Sequence, residues 1–147
     1  MAGSANLVDP RGLRFAATIT AIVLAVVLLT GNAIVLAVQG VVFAIGAFGG
    51  MRRAPYGLLF RATLAKRLGP PAQRELELPP RFAQAVGLGF ALVGVIGYAT
   101  GLGWLGVIAT AFAFVAAFLN AAFGYCLGCE FYLLSRRVFT TRKGVPA

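Results

Sequence analysis

Residues 15–50 read FAATITAIVLAVVLLTGNAIVLAVQGVVFAIGAFGG, an apolar run without a charged side chain, punctuated once at Thr30-Gly31-Asn32. A helix needs roughly 20 apolar residues, at about 1.5 Å rise each, to cross the hydrocarbon core of a bilayer. The run therefore holds two spans, 15–31 and 32–50, joined by a tight turn in which Gly and Asn are at home. Two further uncharged stretches of similar length follow, 82–100 and 104–129. The expected fold is all-α: a four-helix transmembrane bundle made by one integral-membrane domain, residues 1–147.

Composition agrees with this. Hydrophobic residues make up 60% of the chain, charged residues only 12%, and mean hydropathy is +0.89; an ordinary soluble domain is about half apolar and about a quarter charged. Arg11 and Arg14 before an apolar run resemble a secretory leader. The immediate second span and the lack of a small-x-small cleavage site favour a retained helix instead. Asp9-Pro10 suits its start, an acceptor side chain at the N-cap followed by proline at the first helical position.

Charge placement sets the expected orientation. The 13 basic residues fall before span one, between spans two and three, and after span four. None lies in either short loop on the other side. By the positive-inside rule both termini are cytoplasmic, N-in/C-in, which places the chain as a multi-pass protein of the inner (plasma) membrane. Topology and anionic headgroups then account for the net charge of +9, and nucleic acid is not expected as a partner: the basic residues are divided by apolar spans and have no aromatic stacking platform beside them.

The cytoplasmic loop, 51–81, is bracketed by prolines: Pro55 opens it, Gly69-Pro70-Pro71 breaks it, and Pro79-Pro80 leads into the third span. It reads as a hairpin on the inner leaflet, serving as docking surface, lid or plain connector. Small residues recur at helix-packing spacing in Gly46-Gly50, in Ala83-Gly87-Ala91, and in two ridges of span four, Ala109-Ala113-Ala117-Ala121 and Ala116-Asn120-Gly124-Gly128. Such ridges serve the interior of a monomer and the contacts of a homo-oligomer equally well. The buried amides Gln39, Gln84 and Asn120 need partners in the bundle, and a Gln84–Asn120 hydrogen bond is expected.

With no histidine in the chain, the usual haem ligand, general base and metal ligand are all missing, so no cofactor and no metal is assigned. No carboxylate lies deep in a span, which disfavours a proton-coupled carrier, and no phosphate-binding loop is present. What remains is Cys126-Leu127-Gly128-Cys129-Glu130, at the inner end of span four and just before the basic tail, 136–147. On a continuous helix the two thiols and Glu130 share a face. If Gly124 loosens the helix, Cys126 falls at the start of a restarted segment, where unpaired amides favour a thiolate. Zinc shared across a dimer, reversible thiol-disulfide or persulfide exchange, and simple packing all compete for this pair. A permanent disulfide is not expected on a reducing face. The quinone-coupled disulfide-forming enzymes are also four-helix bundles with C-x-x-C, but their reactive pair faces outward and they carry a second pair.

The blocks Val8-Asp9-Pro10-Arg11-Gly12-Leu13-Arg14-Phe15, Pro55-Tyr56-Gly57-Leu58-Leu59-Phe60-Arg61, Leu68-Gly69-Pro70-Pro71, Pro79-Pro80-Arg81-Phe82-Ala83-Gln84 and Gly124-Tyr125-Cys126-Leu127-Gly128-Cys129-Glu130 resemble the signature of a bacterial integral-membrane family classed as a domain of unknown function. The resemblance implies a four-span protein associated with thioredoxin-like or sulfurtransferase partners. The leading expectation is a thiol protein of the lipid bilayer that exchanges disulfide or sulfane sulfur with a cytoplasmic partner. Cys126 would be its nucleophile, Cys129 its resolving thiol and Glu130 its proton acceptor, with Arg81 or another edge cation beside the thiolate. The alternatives are a non-catalytic anchor or accessory subunit, and a channel or carrier for a small sulfur-containing solute.

Overall fold

In the computed structural model, which describes residues 7–142, helices dominate the chain. Three of them are long and apolar enough to cross a membrane: α1 (Pro10–Thr30), α5 (Leu78–Ala99) and α6 (Gly103–Phe123). A fourth apolar helix, α2 (Ala33–Ala44), runs on through a π-helical turn at Ile45–Gly49 and is shorter than these. Two short helices, α3 (Pro55–Ala62) and α4 (Leu64–Leu68), follow, and α7 (Leu127–Arg142) comes last. The first and last described segments of the amino-terminal half are tied by a small antiparallel pair, β1 (Leu7–Val8) with β2 (Glu75–Leu76), Leu7 opposite Leu76.

Local chemistry explains the boundaries. Asp9 caps α1 by accepting the Arg11 backbone N–H at 2.9 Å, with Pro10 in the first turn. Gly31 then ends α1 at φ 67°, a left-handed conformation that costs glycine little. Asn32 starts α2 by accepting the N–H groups of Ile34 and Val35 through its Oδ1. The Gly-Asn turn of the sequence is thus one helix's C-cap directly followed by the next helix's N-cap.

Packing places α1 against α6, α6 against α5 and α5 against α2. Leu24, Val27, Leu36, Phe43, Ala91 and Ala113 form the shared core. Much of the outer surface is equally apolar: Ile22, Val26 and Leu29 on α1, Leu92, Val93 and Ile96 on α5, and Val107, Ile108 and Val115 on α6 are all exposed. A polypeptide that buries aliphatic side chains inside and shows them outside is matched to lipid, and the apolar helices indicate contact with a bilayer.

The small-residue spacing works as expected at several positions. A Cβ on Gly46 would lie 2.9 Å from Gln84, and one on Gly87 2.9 Å from the Phe43 ring. A closer approach occurs where no ridge was read. A Cβ on Gly97 would lie 2.5 Å from the Gly106 backbone nitrogen, so α5 and α6 touch backbone to backbone beside their connecting turn.

The loop between α2 and α5 is pinned and not a free hairpin. Phe60 of α3 is buried, packs at a tilt against Phe15 with ring centroids 5.7 Å apart, and sits over Gly12, where a Cβ would come within 3.1 Å of it. Arg11 spans from Asp9 to the Gly69 carbonyl at 2.8 Å. Glu77, at the end of the loop, is buried and accepts the Met51 N–H at 2.7 Å. The Tyr56 hydroxyl donates to Gln39 Oε1 at 2.7 Å, giving one of the buried amides its partner; burial pushes the Tyr56 hydroxyl above its ordinary pKa.

Candidate functional site

The cysteine motif is set by a break in the helix. The uncharged run 104–129 was read as one span, with a loosening at Gly124 left open. In the structure α6 stops at Phe123, Gly124 takes the left-handed conformation at φ 69°, and the chain restarts as α7 at Leu127. Uncharged sequence cannot distinguish a span that continues from one that turns, because hydropathy carries no term for φ. The orphan carbonyls at the end of α6 are met from outside: the Arg14 guanidinium donates to Ala121 and Ala122 at 3.1 and 3.3 Å. A cation at a helix C-terminus is favoured by both hydrogen bonding and the helix dipole.

Cys126 consequently lies just outside α7 and not on a helix face shared with Cys129 and Glu130. Its Sγ accepts the Cys129 backbone N–H at 3.1 Å, and its carbonyl accepts the Glu130 N–H at 3.0 Å. This is the geometry of a helix N-cap with sulfur in the place usually taken by oxygen. Cys126 and Cys129 are joined through their sulfurs, with Cα atoms 5.2 Å apart. The sequence reading expected no permanent disulfide at this face; the structure holds the pair bonded.

Gly128 explains why the two residues between the cysteines are not arbitrary. A Cβ there would lie 2.5 Å from the Ala83 Cβ and 2.6 Å from its Cα, so the first turn of α7 rests directly on the first turns of α5. The Phe82–Tyr132 ring contact, at 5.8 Å between centroids, continues the seat one turn along.

A cavity of about 890 Å³ opens beside this seat. It lies between α1, α5 and α6, and Cys126, Cys129 and Glu130 stand in its wall together with Gln84 and Asn120. Apolar rings, among them Phe43, Phe90 and Phe112, are part of the lining. Gln84 and Asn120 were expected to bond to each other; among the described hydrogen bonds none joins them, although both line the cavity, and the Gln84 amide lies against Gly46. Glu130 is exposed, while both cysteines are half-buried.

Arg81 does not approach the thiols. It donates to the Ala47 carbonyl through Nε and Nη2, at 3.0 and 2.8 Å, and to Phe48, closing the end of the π-helical turn. Arg14, which also lines the cavity, is the edge cation on the cysteine side. Sequence reading missed it because a basic residue beside a span is first explained by topology. Among the described residues no three His, Cys, Asp or Glu side chains gather to hold a metal ion.

No curated protein and no solved structure matches the chain. Residues 8–137 match the family model described as a domain of unknown function, DUF4395, and the chain belongs to that family.

Proposed function

We propose that this protein is a four-span bundle of the bacterial inner membrane, with both termini in the cytoplasm, whose Cys126–Cys129 pair exchanges disulfide or sulfane sulfur with a soluble cytoplasmic partner of thioredoxin-like or sulfurtransferase type. One observation carries the reading: a bonded cysteine pair at a helix start, with its first sulfur in the N-cap position, stands in the wall of a large cavity at the end of the bundle. In the disulfide direction, a partner thiolate attacks Cys126 Sγ, the Cys126–Cys129 bond breaks, and Cys129 leaves as a thiolate that takes up a proton. A second partner thiolate then attacks the partner's sulfur in the mixed disulfide. Cys126 departs as a thiolate, the partner leaves oxidised, and two electrons have passed to the protein. The N–H groups at the start of α7 are placed to stabilise charge on the departing Cys126 sulfur. Glu130, one helical turn away, is the nearest acid in the motif for the proton.

The four-span reading takes α2 with its π-helical extension as the fourth span, short by a few residues and closed by Arg81 at its end. Trapping tests the chemistry. Cys129→Ser should accumulate a mixed disulfide with a cytoplasmic protein and Cys126→Ser should abolish it. Equal alkylation of both thiols at the rate of an unperturbed cysteine, together with full function of the double serine variant, would sink the proposal. The anchor reading would then take its place, supported by the exposed apolar side chains Phe131, Leu134, Val138 and Phe139 of α7.

A further inference from the structure

A second cavity, of about 780 Å³, lies on the other side of the α1 amino terminus and is walled by basic side chains from five separate segments: Arg11 of α1, Arg52 from the turn after α2, Arg61 of α3, Lys66 of α4, and Arg74 ahead of β2. In the sequence these residues are spread over more than sixty positions and look like ordinary inner-edge charge. The fold gathers them because Phe60 clamps α3 to α1 and the β1–β2 pair draws the chain back past α1. Asp9 is the acid in this wall, and Arg11 already holds it through a two-pronged ion pair at 2.8 Å. Arg61 is steered by donating to the Arg52 carbonyl, which brings the two residues together. Four solvent-exposed cationic groups thus line one recess beyond the Asp9–Arg11 pair, and their summed potential favours an anion there. The floor is apolar, with Leu13, Ala16 and Phe60 among its residues.

We propose that this recess binds a phosphate-type oxyanion, held by Arg52, Arg61, Lys66 and Arg74. Guanidinium groups suit phosphate oxygens because they offer paired donors in a fixed plane. The apolar floor beside the cations suits a phosphodiester with hydrocarbon attached, so the anion has two sources, an anionic lipid headgroup or a free phosphate. The inference does not depend on the cysteine chemistry.

The test uses the full chain in nanodiscs. One arm compares thermal stability, and lipid retained on native mass spectrometry, between pure phosphatidylcholine discs and discs containing diphosphatidylglycerol. The other arm titrates inorganic phosphate into the phosphatidylcholine discs. Saturable stabilisation in either arm supports the site and identifies its source. The triple variant Arg52→Gln, Lys66→Gln, Arg74→Gln should weaken the active arm by roughly a hundredfold, on a scale of about fivefold per cation removed next to an anionic surface. The triple variant Arg53→Gln, Arg67→Gln, Arg136→Gln removes the same charge outside the recess and should leave binding within about twofold of the parent. No saturable effect in either arm, or equal losses in the two triple variants, overturns the proposal.

Discussion

The two ends of the α5–α6 pair are built on opposite terms. Beside the connecting turn the helices touch through Gly97 and Gly106, and the Tyr98 ring covers Gly106 so closely that a Cβ there would lie 2.7 Å from it. At the other end the same two helices stand apart around the 890 Å³ cavity, and α7 with its cysteine pair closes the gap. Closeness of backbones supplies dispersion contacts that lipid cannot replace, so the tight end holds the pair together. The open end, relieved of that task, leaves a cavity with the cysteine pair in its wall.

The largest expected effect breaks this contrast directly. Gly97→Leu should cost about 3 kcal/mol or prevent folding, because nothing at that contact can give way; Ala116→Leu, in the cavity wall, should cost less than about 1 kcal/mol. Thermal unfolding of the two variants in detergent measures both, and similar losses would show that the open end is packed as rigidly as the tight one. Next in size is Gly128→Ala, expected to cost about 2 kcal/mol by pushing α7 off Ala83. Its signature is faster alkylation of reduced Cys126 and Cys129 and earlier proteolysis of α7, with the rest of the bundle unaffected.

Arg14→Ala should cost about 1 kcal/mol by uncapping α6 beside Gly124. Arg14→Lys should recover part of that, since it keeps the charge and loses the planar donors. The smallest effect concerns acid. The Arg11 hydrogen bond holds Asp9 below the ordinary carboxylate value near 3.8. A depressed folded value means that Asp9 contributes stability above the unfolded pKa and loses it as pH falls through the folded one. The wild type should therefore lose stability between about pH 4 and its acid limit relative to Asp9→Asn, by less than about 1 kcal/mol because the pair is partly exposed.

Legibility followed the kind of information each feature needs. The start of α1 was readable because Asp9-Pro10 specifies a cap, and the structure uses it as read; Gly31-Asn32 was read as a turn, and the structure makes it a C-cap followed by an N-cap. The close contacts of Gly46 and Gly87 were readable from spacing alone. The Gly97–Gly106 contact was not, since its small residues recur every three positions, Ala91-Gly94-Gly97 and Gly103-Gly106-Ala109, and the spacing read was four. The cysteine motif stood out by composition, yet its geometry depended on whether Gly124 ended a helix, and apolar sequence on both sides is neutral on that question. Arg81 and Arg14 were equally visible as edge cations. Which of them came to line the cavity that also holds the cysteines depended on which helix end each had to cap.

By itself the sequence determined that this chain is helical and matched to a bilayer, because uninterrupted apolar length and the scarcity of charge leave the backbone few other ways to satisfy its hydrogen bonds there. It also singled out Cys126, Cys129 and Glu130. Only the tertiary structure decided that Cys126 caps a new helix, that the pair stands in a cavity wall, and that five basic residues far apart in sequence meet in one recess. Those outcomes depend on contacts between segments whose order along the chain says nothing about their distance in space.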